Sequence, residues 1–160
     1  MKAVNKRYAL TSSCLYRCNT ITSLARFLGI SVDKLRKLDN QLRESSKEKY
    51  RVFPMGESQR EIQQPINGLL IKLQKRIFIL LSNIEMPDYV HSARRGRSYI
   101  TNASEHINNC YTLTMDIRKF YASTRAEAVF QFFLYDMQMK DDLAHILTNI
   151  CLYDNRIIPT

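Results

Sequence analysis

Apolar residues recur at helical spacing in two short stretches near the beginning of the chain. The first stretch is followed by Gly29, which favours a helix end, and the second follows Ser31, a residue suited to an N-cap. The apolar positions, in chain order, are Ile21, Leu24, Phe27, Leu28, Val32, Leu35, Leu38 and Leu42. The pattern predicts two short helices, followed by a polar linker at residues 44–49.

A β-hairpin and a long helix are predicted next. Residues 50–53 and 60–63 flank a turn-rich segment, which is typical of a hairpin, and this hairpin carries Arg51 and Arg60. Pro65 predicts the start of the helix, because proline is tolerated in the first turn. The apolar face of the helix consists of Ile66, Leu69, Leu70, Leu73, Ile77, Leu80, Leu81 and Ile84. Its polar side carries Lys72, Lys75 and Arg76.

The second half of the chain predicts one strand among several helices. A basic loop at residues 93–98 precedes a helix that Ser98 or Thr101 could cap and that runs to about residue 108. Residues 111–116 then alternate strictly between apolar and polar side chains, as in a half-buried strand with Asp116 at the end of its polar face. A capping-box pattern at 124–127 and two aspartates at 141–142 predict the starts of two further helices.

Composition and charge narrow the class of protein. The 160 residues are 45% hydrophobic and 24% charged, with only four glycines and four prolines, which excludes a disordered chain and disfavours an all-β one. Residues 1–100 contain 19 Lys/Arg against 8 Asp/Glu, whereas residues 101–160 contain 5 against 7. The basic part predicts a polyanion as partner, and solubility alone is the other interpretation.

The cysteines and the N-terminus predict a cytoplasmic protein with reduced thiols. Cys14 and Cys18 are close in sequence, but no histidine lies near them to complete a zinc site. The basic start of the chain has no apolar segment after it, so no signal peptide is predicted. The longest uncharged apolar run, 77–81, is too short to span a membrane.

Five groups of residues then follow one another in a recognisable order. They are Gly29-Ile30-Ser31 with Leu35 and Leu38; Tyr50-Arg51, Arg60-Glu61-Ile62 and Pro65, then Leu73-Gln74; His91, Gly96-Arg97-Ser98, Asn102-Ala103 and His106; Leu113-Thr114-Met115-Asp116-Ile117 with Phe120-Tyr121-Ala122-Ser123; and Leu152 with Ile158-Pro159-Thr160. In this order and spacing, the chain from about residue 21 to residue 160 resembles the N-terminal half of retron-type bacterial reverse transcriptases, which are RNA-directed DNA polymerases.

The resemblance implies a helix-rich α+β fold, divided into an N-terminal helical segment at 1–48, fingers at 49–110 and an incomplete palm at 111–160. It implies that Asp116 is the first catalytic aspartate and helps to hold two Mg²⁺ ions, with the carbonyl group of Ile117 facing the metal site. Arg60 would meet the incoming triphosphate, and Tyr121 would be the steric gate against a ribonucleotide 2′-hydroxyl. Template or primer contacts are implied for Arg51, Lys72, Arg94, Arg95 and Arg97.

The chain also departs from the family pattern. Met55, Gly56 and Glu57 stand where the family has a lysine and a pair of glycines. The Tyr-x-Asp-Asp motif that supplies the other metal-binding carboxylates is absent, because residues 141–142 lack the tyrosine and begin an apolar-periodic helix. We therefore expect the 160 residues alone to be inactive, as a fragment, a truncated reading frame or one part of a split enzyme.

The resemblance implies an RNA template, a DNA primer and a structured non-coding RNA as partners, with no membrane involved and phage defence as the biological setting. The unpartnered strand at 111–116 predicts self-association through its exposed edge. Two alternatives are a stand-alone basic RNA-binding module, in which Asp116 is structural, and a helical interaction protein with basic surfaces. Strongly salt-dependent RNA binding would separate the first of these from the second.

Overall fold

The computed structural model describes residues 7–55, 60–92, 94, 96–117, 120–154 and 156–157. Two compact units make up the chain, one consisting of Met1–Ile84 and Lys119–Thr160 and the other of Glu85–Arg118. Among the described residues, helices predominate and the strands form two antiparallel pairs. This agrees with the predicted helix-rich α+β class. None of the described helices has the length and hydropathy that crossing a bilayer requires.

The two predicted N-terminal helices are confirmed. Helix α1 spans Ile21–Leu28 and helix α2 spans Val32–Ser45. Gly29 ends α1 in the left-handed conformation, at φ 72°, which glycine adopts without strain. The Ser31 hydroxyl accepts a hydrogen bond from the Lys34 amide at the start of α2. Local capping chemistry therefore sets both the end of the first helix and the start of the second.

The predicted hairpin is also present and is longer than expected. Strand β1 (Tyr50–Met55) pairs antiparallel with strand β2 (Arg60–Pro65), with Tyr50 opposite Pro65. The prediction that Pro65 opens the long helix is therefore wrong. Helix α3 spans Gly68–Ser82 and begins after Asn67, whose side-chain oxygen accepts hydrogen bonds from the amides of Leu69 and Leu70. Asparagine can cap orphan amides in this way, whereas proline at the end of a strand only loses a hydrogen-bond donor.

Short elements complete the fold. Helices α4 (Tyr99–Ser104), α5 (Phe120–Ser123) and α6 (Ala126–Gln131) precede a π-helical turn at Phe132–Asp136. Helix α7 (Asp141–Cys151) starts at the predicted aspartates and is followed by strands β3 (Leu152–Tyr153) and β4 (Arg156–Ile157), which pair antiparallel. The predicted capping box at 124–127 is wrong, because the Thr124 hydroxyl donates to the Phe120 carbonyl instead.

A buried carboxylate joins two helices of the core. Asp39 on α2 is only 6% exposed, yet both of its oxygens accept hydrogen bonds. Oδ1 accepts from Asn149 Nδ2 on α7 at 2.8 Å, and Oδ2 accepts from Arg43 Nε at 2.9 Å. The carboxylate is therefore satisfied within an apolar cluster formed mainly by leucines of α1, α2, α3 and α7.

We predict that Asp39→Ala lowers the free energy of unfolding by about 2 kcal/mol, because it leaves the Asn149 amide without its acceptor and α2 without its link to α7. Urea unfolding followed by circular dichroism measures the change. Glu44→Ala is the matched control, since Glu44 is exposed on the same helix, and it should change stability by less than about 0.5 kcal/mol. Equal effects of the two substitutions would contradict the role assigned to Asp39.

Candidate nucleic-acid interface and catalytic carboxylate

The basic loop in the unit 85–118 leads into a fully capped helix. Ser98 accepts from the Thr101 amide, and Thr101 Oγ1 accepts from the Ser98 amide, so the two residues form a capping box at the start of α4. His91 Nδ1 lies 2.9 Å from the same Thr101 hydroxyl. Helix α4 ends at Ser104, before the predicted end near residue 108.

Two arginines of this loop are held by carboxylates of their own unit. Arg94 Nη2 lies 2.9 Å from Asp88 Oδ1, and Arg94 Nη1 donates to the Pro87 carbonyl at 3.0 Å. Arg97 lies between Asp88, at 3.9 Å, and Glu105, at 3.4 Å. The hydrogen bond from Arg94, then its charge, holds the pKa of Asp88 below its ordinary value. Carboxylates of the same unit thus neutralise part of the positive charge that the sequence analysis assigned to nucleic-acid binding. The contacts of Arg94 and Arg97 with nucleic acid stay predictions, and Arg95 lies outside the described residues.

A polar cleft of about 400 Å³ opens beside these arginines. It is lined by Asp88, Tyr89, His91, Arg97, Asn102, Glu105 and His106. Arg97 is charge-compensated by Asp88 and Glu105, so the cleft has no uncompensated arginine at its wall. The contacts of His91 with Thr101 and of Arg97 with Glu105 at its wall hold the loop against α4 and its end.

The predicted strand at residues 111–116 is wrong. Residues 111–117 form no ladder with any described strand, and every side chain in this segment is exposed, up to 94% for Tyr111. Alternation creates an apolar face, but a strand also needs a partner for its backbone amides and carbonyls. Within the described residues the segment has no such partner, so the alternation alone does not produce a strand.

Asp116 and Ile117 lie at the end of this exposed segment. Asp116 is accessible to a metal ion, and Ile117 is 64% exposed. Among the described residues, however, no group of three or more histidine, cysteine, aspartate or glutamate side chains could hold a metal. One carboxylate does not fit a two-metal centre, which needs several oxygen ligands. The described residues therefore provide one candidate ligand for Mg²⁺ and not a complete site.

The remaining predicted site residues belong to the other unit. Arg51 is exposed on β1, opposite Gln64, and Lys72 is exposed on α3. Arg60 stands opposite Met55, at the turn end of the hairpin, and Tyr121 lies within α5. The side chains of Arg60 and Tyr121 lie outside the described part of the chain, so their predicted roles as phosphate contact and steric gate stay predictions.

Sequence reasoning missed one exposed aromatic residue beside the cations of α3. Phe78 is 60% exposed and Ile79 is 46% exposed, although the helix buries its other side well. The sequence could have indicated this exposure, because neither Phe78 nor Ile79 falls on the apolar face that the helical periodicity defines. A large apolar residue on the basic side of an amphipathic helix is unusual enough to mark a surface of interest.

A comparison with curated proteins finds that this chain is similar to a reverse transcriptase. This relative is the Retron Se72 reverse transcriptase of Salmonella heidelberg (strain 579083-10), and the two sequences are 28% identical over 141 residues. These residues make up 86% of this chain and 36% of the relative, so the chain spans little more than a third of that protein's length. No protein-family model matches the chain. The similarity confirms the resemblance to retron-type reverse transcriptases that the order of motifs predicted.

We predict that the Asp88 carboxyl group titrates below 3.8, its ordinary pKa, and that Arg94→Gln moves the midpoint back towards that value. A lowered folded-state pKa means that the pair stabilises the loop above about pH 3.8 and that this contribution is lost as the pH falls through the lowered value. Carbon-detected NMR of the side-chain carboxyl measures the midpoint. Arg97→Gln, which removes the more distant cation, should give the smaller shift; the reverse order would contradict the geometry.

Proposed function

We propose that this chain forms the N-terminal part of a retron-type RNA-directed DNA polymerase, with fingers at 49–110 and the start of the palm after residue 110. The observation that carries the proposal is the similarity to a retron reverse transcriptase over 86% of the chain, and the order of the family's motifs in the sequence supports it. In this proposal the 160 residues alone do not polymerise, since they contain no Tyr-x-Asp-Asp motif.

Asp116 is proposed as a catalytic carboxylate that contributes one ligand to Mg²⁺, with the Ile117 carbonyl beside it. Its exposure supports this role, because a ligand for a metal–nucleotide complex must be reachable. When bound, Mg²⁺ ions polarise the reacting phosphate and stabilise charge during nucleotidyl transfer. The other ligands would have to come from outside the described residues, in agreement with the lack of a metal-binding cluster among them.

The substrate contacts follow from the same proposal. Arg60 would bind the incoming triphosphate, and Tyr121 would exclude the 2′-hydroxyl, while Arg51 and Lys72 contact template or primer. Arg94, Arg95 and Arg97 would also contact nucleic acid, with the first and third stabilising their loop as well. The partners are an RNA template, a DNA primer and a structured non-coding RNA. Self-association through residues 111–117 is proposed from their exposed apolar side chains.

The second candidate is a stand-alone RNA-binding module without catalysis. The charge of the first hundred residues supports it, with 19 Lys/Arg against 8 Asp/Glu. That charge is equally expected of a polymerase that holds template and primer, whereas the similarity to a reverse transcriptase favours the first candidate. The polymerase proposal is therefore the stronger one.

We predict that Asp116→Asn abolishes primer extension by the polypeptide that the complete reading frame encodes, because the amide cannot replace a carboxylate ligand of Mg²⁺. A labelled DNA primer on an RNA template, with magnesium and deoxynucleotides, provides the assay. RNA binding by the same variant should stay within about twofold of wild type, because one exposed carboxylate contributes little to phosphate contacts.

Asp142→Asn is the matched control. It alters an aspartate in the Asp-Asp pair at the start of α7, where the charge serves the helix terminus, and it should leave extension intact. DNA synthesis by the Asp116→Asn protein would contradict the proposal. A wild-type protein that binds RNA but extends no primer would favour the RNA-binding module.

A further inference from the structure

The outward side of α3 combines two free lysines with an exposed aromatic ring. Lys72, Lys75, Phe78 and Ile79 are all exposed, and spacings of three and four residues place Lys75 beside Phe78 and Ile79 on one helix face. The 15-residue helix contains three cations and no carboxylate. We refer to Lys72, Lys75, Phe78 and Ile79 as the α3 stripe.

The two lysines of the stripe differ from Arg94 and Arg97, which are paired with carboxylates. Neither forms an ion pair with any residue that the structure describes, whereas Arg76 donates through Nε to the Phe27 carbonyl at 2.8 Å. Their charge is therefore available to a ligand. The absence of acidic residues in α3 leaves a local positive potential that attracts an anion.

Phe78 is not part of the core that the helix builds. Leu70, Leu73, Ile77 and Leu80 form the buried face, and Phe78 is rotated by about 100° from Ile77, out of this face. A phenyl ring that is 60% exposed next to lysines offers a flat surface on which a base can stack, with cations in reach of the flanking phosphates.

We propose that the α3 stripe binds single-stranded nucleic acid, with a base stacked on Phe78 and backbone phosphates held by Lys72 and Lys75. This deepens the proposed function, on which it rests, by naming where an unpaired strand is held. The positive charges of Lys72 and Lys75 are complementary to the phosphates of a nucleic-acid strand, which favours this ligand. An anionic membrane would need a wide apolar face, and here Phe78 and Ile79 are the only large apolar side chains among the described residues of α3 that are exposed.

Fluorescence anisotropy with a labelled oligouridine and with an abasic strand of the same length tests the two contacts separately. Phe78→Ala should weaken binding of the base-containing strand by about fivefold or more and leave binding of the abasic strand unchanged, because only the stacked base is lost. Phe78→Trp should restore binding. Lys75→Gln should weaken binding of both strands and reduce the slope of log K against log salt by about 0.7, as expected for one phosphate contact to a single strand.

Two matched controls come from the same unit. Tyr135 is 68% exposed but stands beside Asp136, and Lys140 is paired with Asp142 at 3.5 Å. Tyr135→Ala and Lys140→Gln should therefore leave binding within about twofold of wild type, because neither residue combines an exposed ring with uncompensated positive charge.

Three results would overturn the inference. Phe78→Ala could bind the base-containing strand as tightly as wild type, or it could lose as much affinity for the abasic strand as for the base-containing one. In the third result, Phe78→Ala loses affinity only for anionic phosphatidylserine vesicles. Primer extension by the complete protein separates this inference from the proposed function. If the wild-type protein extends a primer and neither Phe78→Ala nor Lys75→Gln changes strand binding, the inference about the α3 stripe is rejected and the polymerase proposal stands. If Phe78→Ala clearly weakens strand binding but the wild-type protein extends no primer, the polymerase proposal is rejected and the inference about the α3 stripe stands.

Discussion

One amide side chain fixes how the hairpin, α3 and the end of α7 fit together. Gln74 Nε2 donates to the Tyr50 hydroxyl at 2.8 Å and to the Ile150 carbonyl at 3.0 Å. The Tyr50 hydroxyl in turn lies 3.5 Å from the Leu152 carbonyl. Burial raises the pKa of Tyr50, so the phenol stays protonated and keeps a hydrogen to donate. Three elements distant in sequence are therefore joined at one buried point.

The same contact sets the rotation of α3 about its axis. Gln74 follows Leu73 and precedes Ile77, both buried, so its bonds to Tyr50 and Ile150 hold that side of the helix against the core. With Leu73 and Ile77 turned to the core, Lys75 lies on the far side of the helix, and Phe78, one turn after Gln74, lies at the edge of the exposed side. The exposed stripe of α3 is thus a consequence of core packing, and its side chains come with their orientation already fixed.

Local chemistry explains most of what the sequence predicted correctly. Gly29, Ser31 and Ser98 each act on backbone groups within three or four residues, so their effects can be recognised without knowing the fold. The wrong predictions concern residues whose secondary structure depends on a partner that the local sequence does not reveal. Pro65 pairs across the hairpin with Tyr50 and so belongs to β2, while Thr124 bonds backward to Phe120. The segment 111–117 has the alternation of a strand but lacks a described partner for its backbone.

The candidate site could be predicted only in part for a related reason. Sequence identifies arginines and lysines but does not tell which of them the fold will neutralise. The highest density of arginine lies at 94–97, yet Arg94 and Arg97 are compensated by Asp88 and Glu105. The role of Asp116, in contrast, rests on motif order, because its exposed position forms no recognisable centre among the described residues.

This distribution of compensated and free charge bears on how a polyanion would approach the protein. A phosphate that binds Arg94 must compete for the guanidinium with the Asp88 carboxylate, at 2.9 Å. A phosphate that binds Lys72 or Lys75 displaces only water and counterions, which is entropically favourable. Free cations next to an exposed ring therefore make α3 a better first contact for an unpaired strand than the arginine-rich loop, even though the loop carries more charge per residue.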